Sequence, residues 1–120
     1  MARIGPEEAV AFYAAAIGYE FMHHEELHEK LVNVDGADGW DQRVQLATRM
    51  AYALHRAVEE SGNKWITREK GKWKGEYDIL ETVELFTKIV LETVVATSRI
   101  PSPEELEAMA SASFVKSELI

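Results

Sequence analysis

Apolar side chains recur at steps of three and four residues along most of the chain, a spacing that places them on one face of an α-helix. The first such segment opens at Pro6, which suits a first helical turn, and its repeat continues to Val32. The repeat predicts one long helix between these two residues. The face that this helix would bury contains Val10, Ala14, Ile17, Phe21, His24, His28 and Leu31.

A second helix is predicted after a loop rich in Asn, Asp and Gly that spans residues 33–40. Asp38 is a candidate cap for its start, because a short carboxylate can accept the free amide groups of a first turn. The helix would extend from Asp41 to about Ser61. Its predicted buried stripe contains Val44, Ala47, Ala51, Leu54 and Val58.

Two more helices are predicted in the second half of the chain. One extends from about Glu76 to Ser98 and has the most regular apolar repeat. The last begins at a capping box, in which Ser102 is the cap and Glu105 follows three residues later, and it ends near Ser113. The apolar repeat of the third helix contains Ile79, Val83, Phe86, Val90 and Val94.

These elements predict an all-α protein: an antiparallel helical bundle of three long helices plus a short C-terminal helix. No linker rich in Pro, Gly or Ser divides the chain, so residues 1–120 are expected to form a single domain with one core. Leu80, Leu91 and Val95 lie off the main stripe of the third helix. The fourth helix or a second copy of the chain would cover them, and we expect a homodimer.

Composition narrows the classes of function. The absence of cysteine excludes disulfides, thiolate zinc sites and cysteine nucleophiles, and a cytoplasmic location is expected. The net charge of −8 disfavours binding to duplex nucleic acid, whose phosphates require a basic face. There is no apolar run of ~18 residues and no basic flank at the N-terminus, so the chain is expected to be neither membrane-spanning nor secreted.

Histidines supply the first candidate chemistry. Glu20, His24 and His28 follow one another at four-residue steps, so one carboxylate and two imidazoles would converge on the buried side of the first helix. Folding the second helix back on the first would bring His55 near the level of Glu20. These four residues are a candidate site for zinc, iron or manganese. The alternative is that the histidines on the buried side of the helix only form hydrogen bonds to carboxylates or carbonyls that face them.

The letters HEELH at residues 24–28 resemble the H-E-x-x-H helix of zinc proteases, where two histidines bind the metal and the glutamate is the general base. In that family the positions held here by Glu26 and Glu29 are uncharged, because the helix is buried beneath the metal. Two carboxylates at those positions, and the lack of a predicted sheet before the helix, argue against proteolysis.

The stretches EELHEKL and ETVELF resemble the paired acidic motifs of MazG-like nucleoside triphosphate pyrophosphatases, an all-helical class that holds magnesium. On the first stretch the resemblance implies Glu25 or Glu26 together with Glu29 as ligands. On the second it implies Glu81 with Glu84. The second stretch lacks the family's usual aspartate, and the gap between the two stretches is longer than in the family.

A basic segment interrupts the helical pattern between residues 64 and 74. Five of the thirteen basic residues of the chain lie there, beside two tryptophans. Ammonium groups and indole rings can hold a phosphate or stack on a base, so a nucleotide, a single strand or an acidic partner are candidate ligands. A connector whose tryptophans fold onto the bundle is the alternative. The candidate binding residues are Trp65, Arg68, Lys70, Lys72, Trp73 and Lys74.

The sequence contains no Gly-rich phosphate loop, no serine in an elbow setting and no cofactor fingerprint. Small acidic helical chains without such features are most often interaction or regulatory modules. We therefore expect a protein-binding, self-associating helical module without its own catalysis and without a cofactor. The alternative is a metal-dependent helical-bundle enzyme, with either the Glu/His site of the first helix or the magnesium site of a MazG-like pyrophosphatase.

Overall fold

The computed structural model describes residues 2–3, 6–61, 67–69, 72–74 and 78–115, with the three short strands described by their backbone alone. Five α-helices make up most of these residues, and the helical class predicted from the sequence is confirmed. A short 3-10 helix, Leu31–Asn33, follows the second of them. The α-helices are α1 (Pro6–His23), α2 (Glu25–Lys30), α3 (Trp40–Glu60), α4 (Ile79–Thr97) and α5 (Pro103–Ala112).

The helices surround one core in a closed ring. α1 packs against α3 and α4, while α5 packs against the same two helices from the other side. The ring order is therefore α1, α3, α5, α4, which leaves α1 opposite α5 and α3 opposite α4. Short α2 adds a further contact to α4. No helix among the described residues combines the length and hydropathy needed to cross a bilayer.

A small antiparallel sheet accompanies the helices and was not predicted from the sequence. Its strands are β1 (Ala2–Arg3), β2 (Thr67–Glu69) and β3 (Lys72–Lys74), with β2 in the centre. Arg68 lies opposite Trp73 in the β2–β3 pair and opposite Ala2 in the β1–β2 pair. The sequence predicts residues 64–74 to be a non-helical segment, either a binding site or a connector, and does not predict its pairing into strands.

Helix α4 fulfils its predicted pattern. All five residues of its expected apolar stripe are buried, and so is Leu91, which had been placed off that stripe. The helix begins at Ile79, where the Asp78 side chain accepts a hydrogen bond from the Glu81 amide at 3.0 Å. The predicted start at Glu76 lies outside the described residues.

The chain returns to the start of α4 after α5 ends. The Val115 amide donates to the Thr82 hydroxyl at 3.0 Å, and the Asp78 amide donates to the Val115 carbonyl at 2.7 Å. Thr82 is fully buried, so its hydroxyl would cost free energy without this partner. The segment after α5 is thus fixed to the first turn of α4.

The capping box predicted for α5 is present. The Ser102 hydroxyl accepts from the Glu105 amide at 3.2 Å, and the Glu105 carboxylate accepts from the Ser102 amide at 3.1 Å. Arg99 also donates two hydrogen bonds to this carboxylate, at 2.8 and 2.9 Å. These bonds to Arg99, with those to Ser102, lower the pKa of Glu105 to about 2. The carboxylate therefore stays ionised across the usual working range of pH.

The predicted first helix is interrupted, which corrects the expectation of one helix from Pro6 to Val32. The break lies at His24, whose backbone angles of φ −100° and ψ 53° are not helical. The buried row of α1 consists of residues spaced by four, and the next position in that row is Glu25. A carboxylate there could not be buried without a partner, so the chain turns before the row reaches it. The row contains Ala9, Tyr13, Ile17 and Phe21.

Two details of the predicted helix faces also differ. The buried row of α1 includes Tyr13 in place of Val10 and Ala14. Residues four apart are not exactly in line on a helix of 3.6 residues per turn, so a row with that spacing shifts around the helix. For α3 the cap is Gly39, not Asp38, and no side chain caps its first turn. Val44 was predicted to be buried on α3 but is 49% exposed, while the rest of its stripe is buried.

Two buried hydroxyl groups, on Tyr13 of α1 and Thr87 of α4, make no hydrogen bond within the described part of the chain. Both residues are fully buried. Burial raises the pKa of Tyr13 well above its ordinary value of 10. A buried hydroxyl without a partner among the described residues is expected to destabilise the fold, because its burial removes hydration that no such hydrogen bond replaces.

We expect Tyr13→Phe to raise the free energy of unfolding by about 1 kcal/mol, because it removes a desolvated hydroxyl and keeps the ring. Urea unfolding measures the change. Tyr52→Phe is the matched control: Tyr52 is 53% exposed, so its loss of a hydroxyl should leave stability within about 0.5 kcal/mol. A decrease in stability for Tyr13→Phe would contradict the prediction and point to a hydrogen-bonding partner for the hydroxyl.

Candidate functional site

His24, at the junction of α1 and α2, lies close to Glu20. Its Nε2 atom is 3.9 Å from the Glu20 carboxylate, and both side chains are largely covered, at 22% and 17% exposed. Nε2 itself is buried and has no hydrogen-bond partner in the described residues. The pair matches the predicted i, i+4 neighbours, at a distance too long for a hydrogen bond.

His28 faces a cation. Its Nε2 atom lies 3.1 Å from Nη1 of Arg43 on α3. A guanidinium group can only donate, so Nε2 accepts and the proton of the neutral ring sits on Nδ1. Burial lowers the pKa of His28, and the charge of Arg43 lowers it further, while Glu29 and Glu25 act in the opposite direction. His28 is therefore held as a neutral hydrogen-bond acceptor.

Arg43 connects three parts of the chain. Besides its contact with His28 of α2, its Nε group donates to the carbonyl oxygen of Ala37 at 3.2 Å. Ala37 is fully buried in the loop before α3. One side chain thus ties α2 and this loop to α3, with two of its donor groups in use.

His55 pairs with its own helix. Its Nε2 atom is 2.6 Å from the Glu59 carboxylate, one turn later on α3. Within the described residues, no three or more His, Cys, Asp or Glu side chains are arranged to hold a metal ion. A metal at Nε2 of His28 would also have to displace Arg43. The metal site on Glu20, His24, His28 and His55 stays a prediction, without a ligand set in this geometry.

The remaining candidates from the sequence are the acidic motifs and the basic segment at residues 64–74. The acidic residues that resemble the pyrophosphatase motifs are exposed on α2 and α4, without forming such a metal-holding group in the described part of the chain. For the basic segment, Trp65 and Lys70 lie outside the described residues. The strands β2 and β3 give only the backbone of Arg68, Lys72, Trp73 and Lys74. Binding by this segment therefore stays a prediction.

A groove between α1 and α3 was not foreseen from the sequence. It has a volume of about 280 Å³, and its lining includes both partners of the His28–Arg43 hydrogen bond. We call it the α1–α3 groove. From α1 and α2 it is lined by Ala14, Gly18, Tyr19, Phe21, Met22 and His28, and from α3 by Trp40, Arg43, Val44, Ala47 and Thr48.

The α1–α3 groove collects large apolar side chains that are exposed to solvent. Tyr19, Met22 and Trp40 are 62%, 69% and 68% exposed, and Val44 completes the set. These four are half of the eight large apolar side chains that are exposed in the described residues. Exposed apolar residues are normally scattered, and their concentration around one concave surface is typical of an interaction site.

Small residues give the groove its depth. Ala14 and Gly18 on α1 lie across from Ala47 on α3 as lining residues. A Cβ atom added at Gly18 would meet no atom within 4 Å, so the space above this residue is open. A partner could therefore approach the backbone of α1 closely.

A second groove, of similar volume, lies between α3 and α5. Its lining includes Arg49 and Arg56 of α3 together with Pro101 and Pro103. Tyr52 is its one exposed large apolar side chain within the described chain. The α1–α3 groove therefore offers far more exposed apolar surface.

The sequence held a signal for the α1–α3 groove. Trp40 and Val44 continue the apolar stripe of α3 toward its N-terminus, beyond Ala47, which is the last buried residue of the predicted stripe at that end. On α1, Tyr19 and Met22 lie off the buried row. Large apolar residues off a stripe, on two helices that pack together, indicate such a surface.

The His28–Arg43 contact makes stability depend on pH. Because the pKa of folded His28 lies below its ordinary value of 6.5, its contribution is fully present above that pH. As pH falls below 6.5, the unfolded chain takes up a proton that the folded chain resists. We expect the wild type to lose stability relative to His28→Gln between pH 7.5 and pH 5, measured by urea unfolding at each pH.

Glutamine keeps an acceptor for Arg43 and removes the titration, so the difference isolates His28 from the other histidines. His23→Gln, the same substitution at an exposed histidine of α1, is the control. If the wild type instead gained stability over His28→Gln as pH fell, folded His28 would be the better proton acceptor and the prediction would be wrong.

Comparison with known proteins gives no family for this chain. No protein-family model matches it, and neither a curated protein nor a solved structure matches it. The geometry of the α1–α3 groove is therefore the main indication of function.

Proposed function

We propose that the chain is a protein-interaction module that docks a segment of a partner protein in the α1–α3 groove and has no catalysis of its own. The observation that supports this is the concentration of four exposed large apolar side chains around one open groove. Covering them would remove from water a surface that the helices of one chain leave exposed.

The partner segment is an α-helix. Both walls of the groove are helices, whose backbone groups are already paired within each helix, so an extended strand would find no main-chain partners. A helix satisfies its own backbone and presents apolar side chains at steps of three and four. The groove spans nine residues of α1, from Ala14 to Met22, and the rise between these two residues is about 12 Å, or two helical turns.

The scaffold under this proposal is an antiparallel bundle of the three long helices α1, α3 and α4 with the short α5. The closed ring of helix contacts supports that arrangement. In it α1 and α3 are neighbours, and the groove lies between their outward sides.

Self-association is the competing form of the interaction. The sequence predicts a homodimer from three side chains of α4 that lie off its apolar stripe. Of these, Leu91 is buried within one chain and Val95 is half-buried against the core. Leu80 remains 61% exposed. Two copies would also each have a charge of −8 and repel one another.

Sedimentation velocity at low and high salt tests whether a second copy of the chain occupies the α1–α3 groove. We propose a chain that is monomeric at low salt, with its groove available to a different protein. A dimer that Trp40→Ser abolishes would make a second copy the occupant of the groove in place of a different partner.

The docking proposal is tested by selecting peptides from a displayed library of random segments on the wild-type chain. We expect selected peptides to lose about tenfold or more in affinity for Trp40→Ser, since buried tryptophans are common hot spots of binding. Leu80→Ser is the matched control, because it removes a similarly exposed apolar side chain outside the groove and should leave affinity unchanged.

Circular dichroism and urea unfolding establish that both variants fold. Peptides that bind Trp40→Ser as tightly as the wild type would place the docking surface elsewhere and overturn the proposal.

A further inference from the structure

Charge around the α1–α3 groove is strongly acidic. Residues 19–48, which include most of its lining, contain seven carboxylates against Lys30 and Arg43. The charges of Glu25 and Glu29 act on His28, a lining residue of the groove, and partly oppose the lowering of its pKa by burial and by Arg43. Asp41 is exposed beside Trp40 in the first turn of α3. At least three carboxylates thus lie next to residues that line the groove.

The two cations of this region are already engaged. Arg43 uses two donor groups on His28 and Ala37. Lys30 lies 3.9 Å from the carboxylate of Glu26, one turn earlier on α2. Two cations offset only part of the charge of seven carboxylates, so a partner with positive charge would meet uncompensated carboxylates.

We infer that the α1–α3 groove binds a basic amphipathic helix of a partner protein. The apolar face of the helix, with anchors at steps of three and four, covers Tyr19, Met22, Trp40 and Val44. Lysine or arginine residues on its flanks lie near Glu25, Glu29 and Asp41. This inference rests on the proposed function, since it adds the charge of the partner to a docking surface already proposed.

Electrostatics then favour one class of partner over others. Exposed ion pairs contribute little to affinity one by one, but several act together and speed association. A helix with an acidic flank would place like charges side by side. Two helices with the same apolar anchors would therefore differ in affinity according to the charge of their flanking residues.

The test uses three synthetic helical peptides of equal length with the same leucine face. Their remaining positions are lysine, glutamine or glutamate, and binding is measured by fluorescence anisotropy of a label on the peptide. We expect the lysine peptide to bind more than about tenfold tighter than the glutamate peptide, with glutamine between. Raising salt should weaken the lysine peptide alone, since it screens exposed pairs.

Local charge is separated from net charge by two matched double variants. Glu25→Gln/Glu29→Gln removes two carboxylates near the groove, and we expect it to weaken the lysine peptide about threefold or more. Glu81→Gln/Glu84→Gln removes the same charge from exposed positions of α4 outside the groove and should have less than about a twofold effect. Binding of the glutamine peptide should be unchanged in both.

The outcomes distinguish the inference from the proposed function. Equal affinity of the lysine and glutamine peptides would overturn the basic partner and leave docking in the groove intact. Equal binding of the lysine peptide to the wild type and Trp40→Ser would show adhesion to an acidic surface, which also overturns it. Failure of all three peptides, together with a failed library selection, would overturn docking itself.

Discussion

The carboxylate of Glu25 sets the limit of the first helix, and much of the candidate site follows from that limit. Four residues at four-residue steps bury one row of α1 in the core, and Glu25 is the next position of the row. An unpaired carboxylate in the core costs several kcal/mol, more than one broken helical turn. The chain leaves the helical path at His24 and Glu25 remains in solvent.

The turn at His24 determines where the following histidine lies. In α2 no residue is fully buried, and His28 is directed to Arg43 of α3. Arg43 in turn holds the loop before α3 through Ala37. His28 and Arg43 both line the α1–α3 groove, and Trp40 is exposed at the start of α3. The helix break therefore influences where His28, one of the lining residues, lies.

The sequence predicted those elements whose determinants are local. Ser102 and Glu105 form their capping box within four residues, and the apolar stripe of α4 lies in one helix, so both were found. The break at His24 could be predicted only by following the buried row of α1 to its next position, which is Glu25. The contact of Arg43 with His28 spans fifteen residues and depends on how two helices pack, which periodicity cannot give. Val44 was misplaced for the same reason, because its exposure is set by its neighbours.

A single chain with four exposed large apolar residues on one surface must avoid aggregation, and the same carboxylates that surround the groove serve that purpose. A net charge of −8 makes copies of the chain repel one another. This repulsion is strongest where two grooves would face each other, because Glu25, Glu29 and Asp41 would then meet their counterparts. A basic partner gains from the field that separates the copies. Solubility and selectivity would thus arise from one distribution of charge, and an exposed apolar groove can persist without being filled by the chain's own copies.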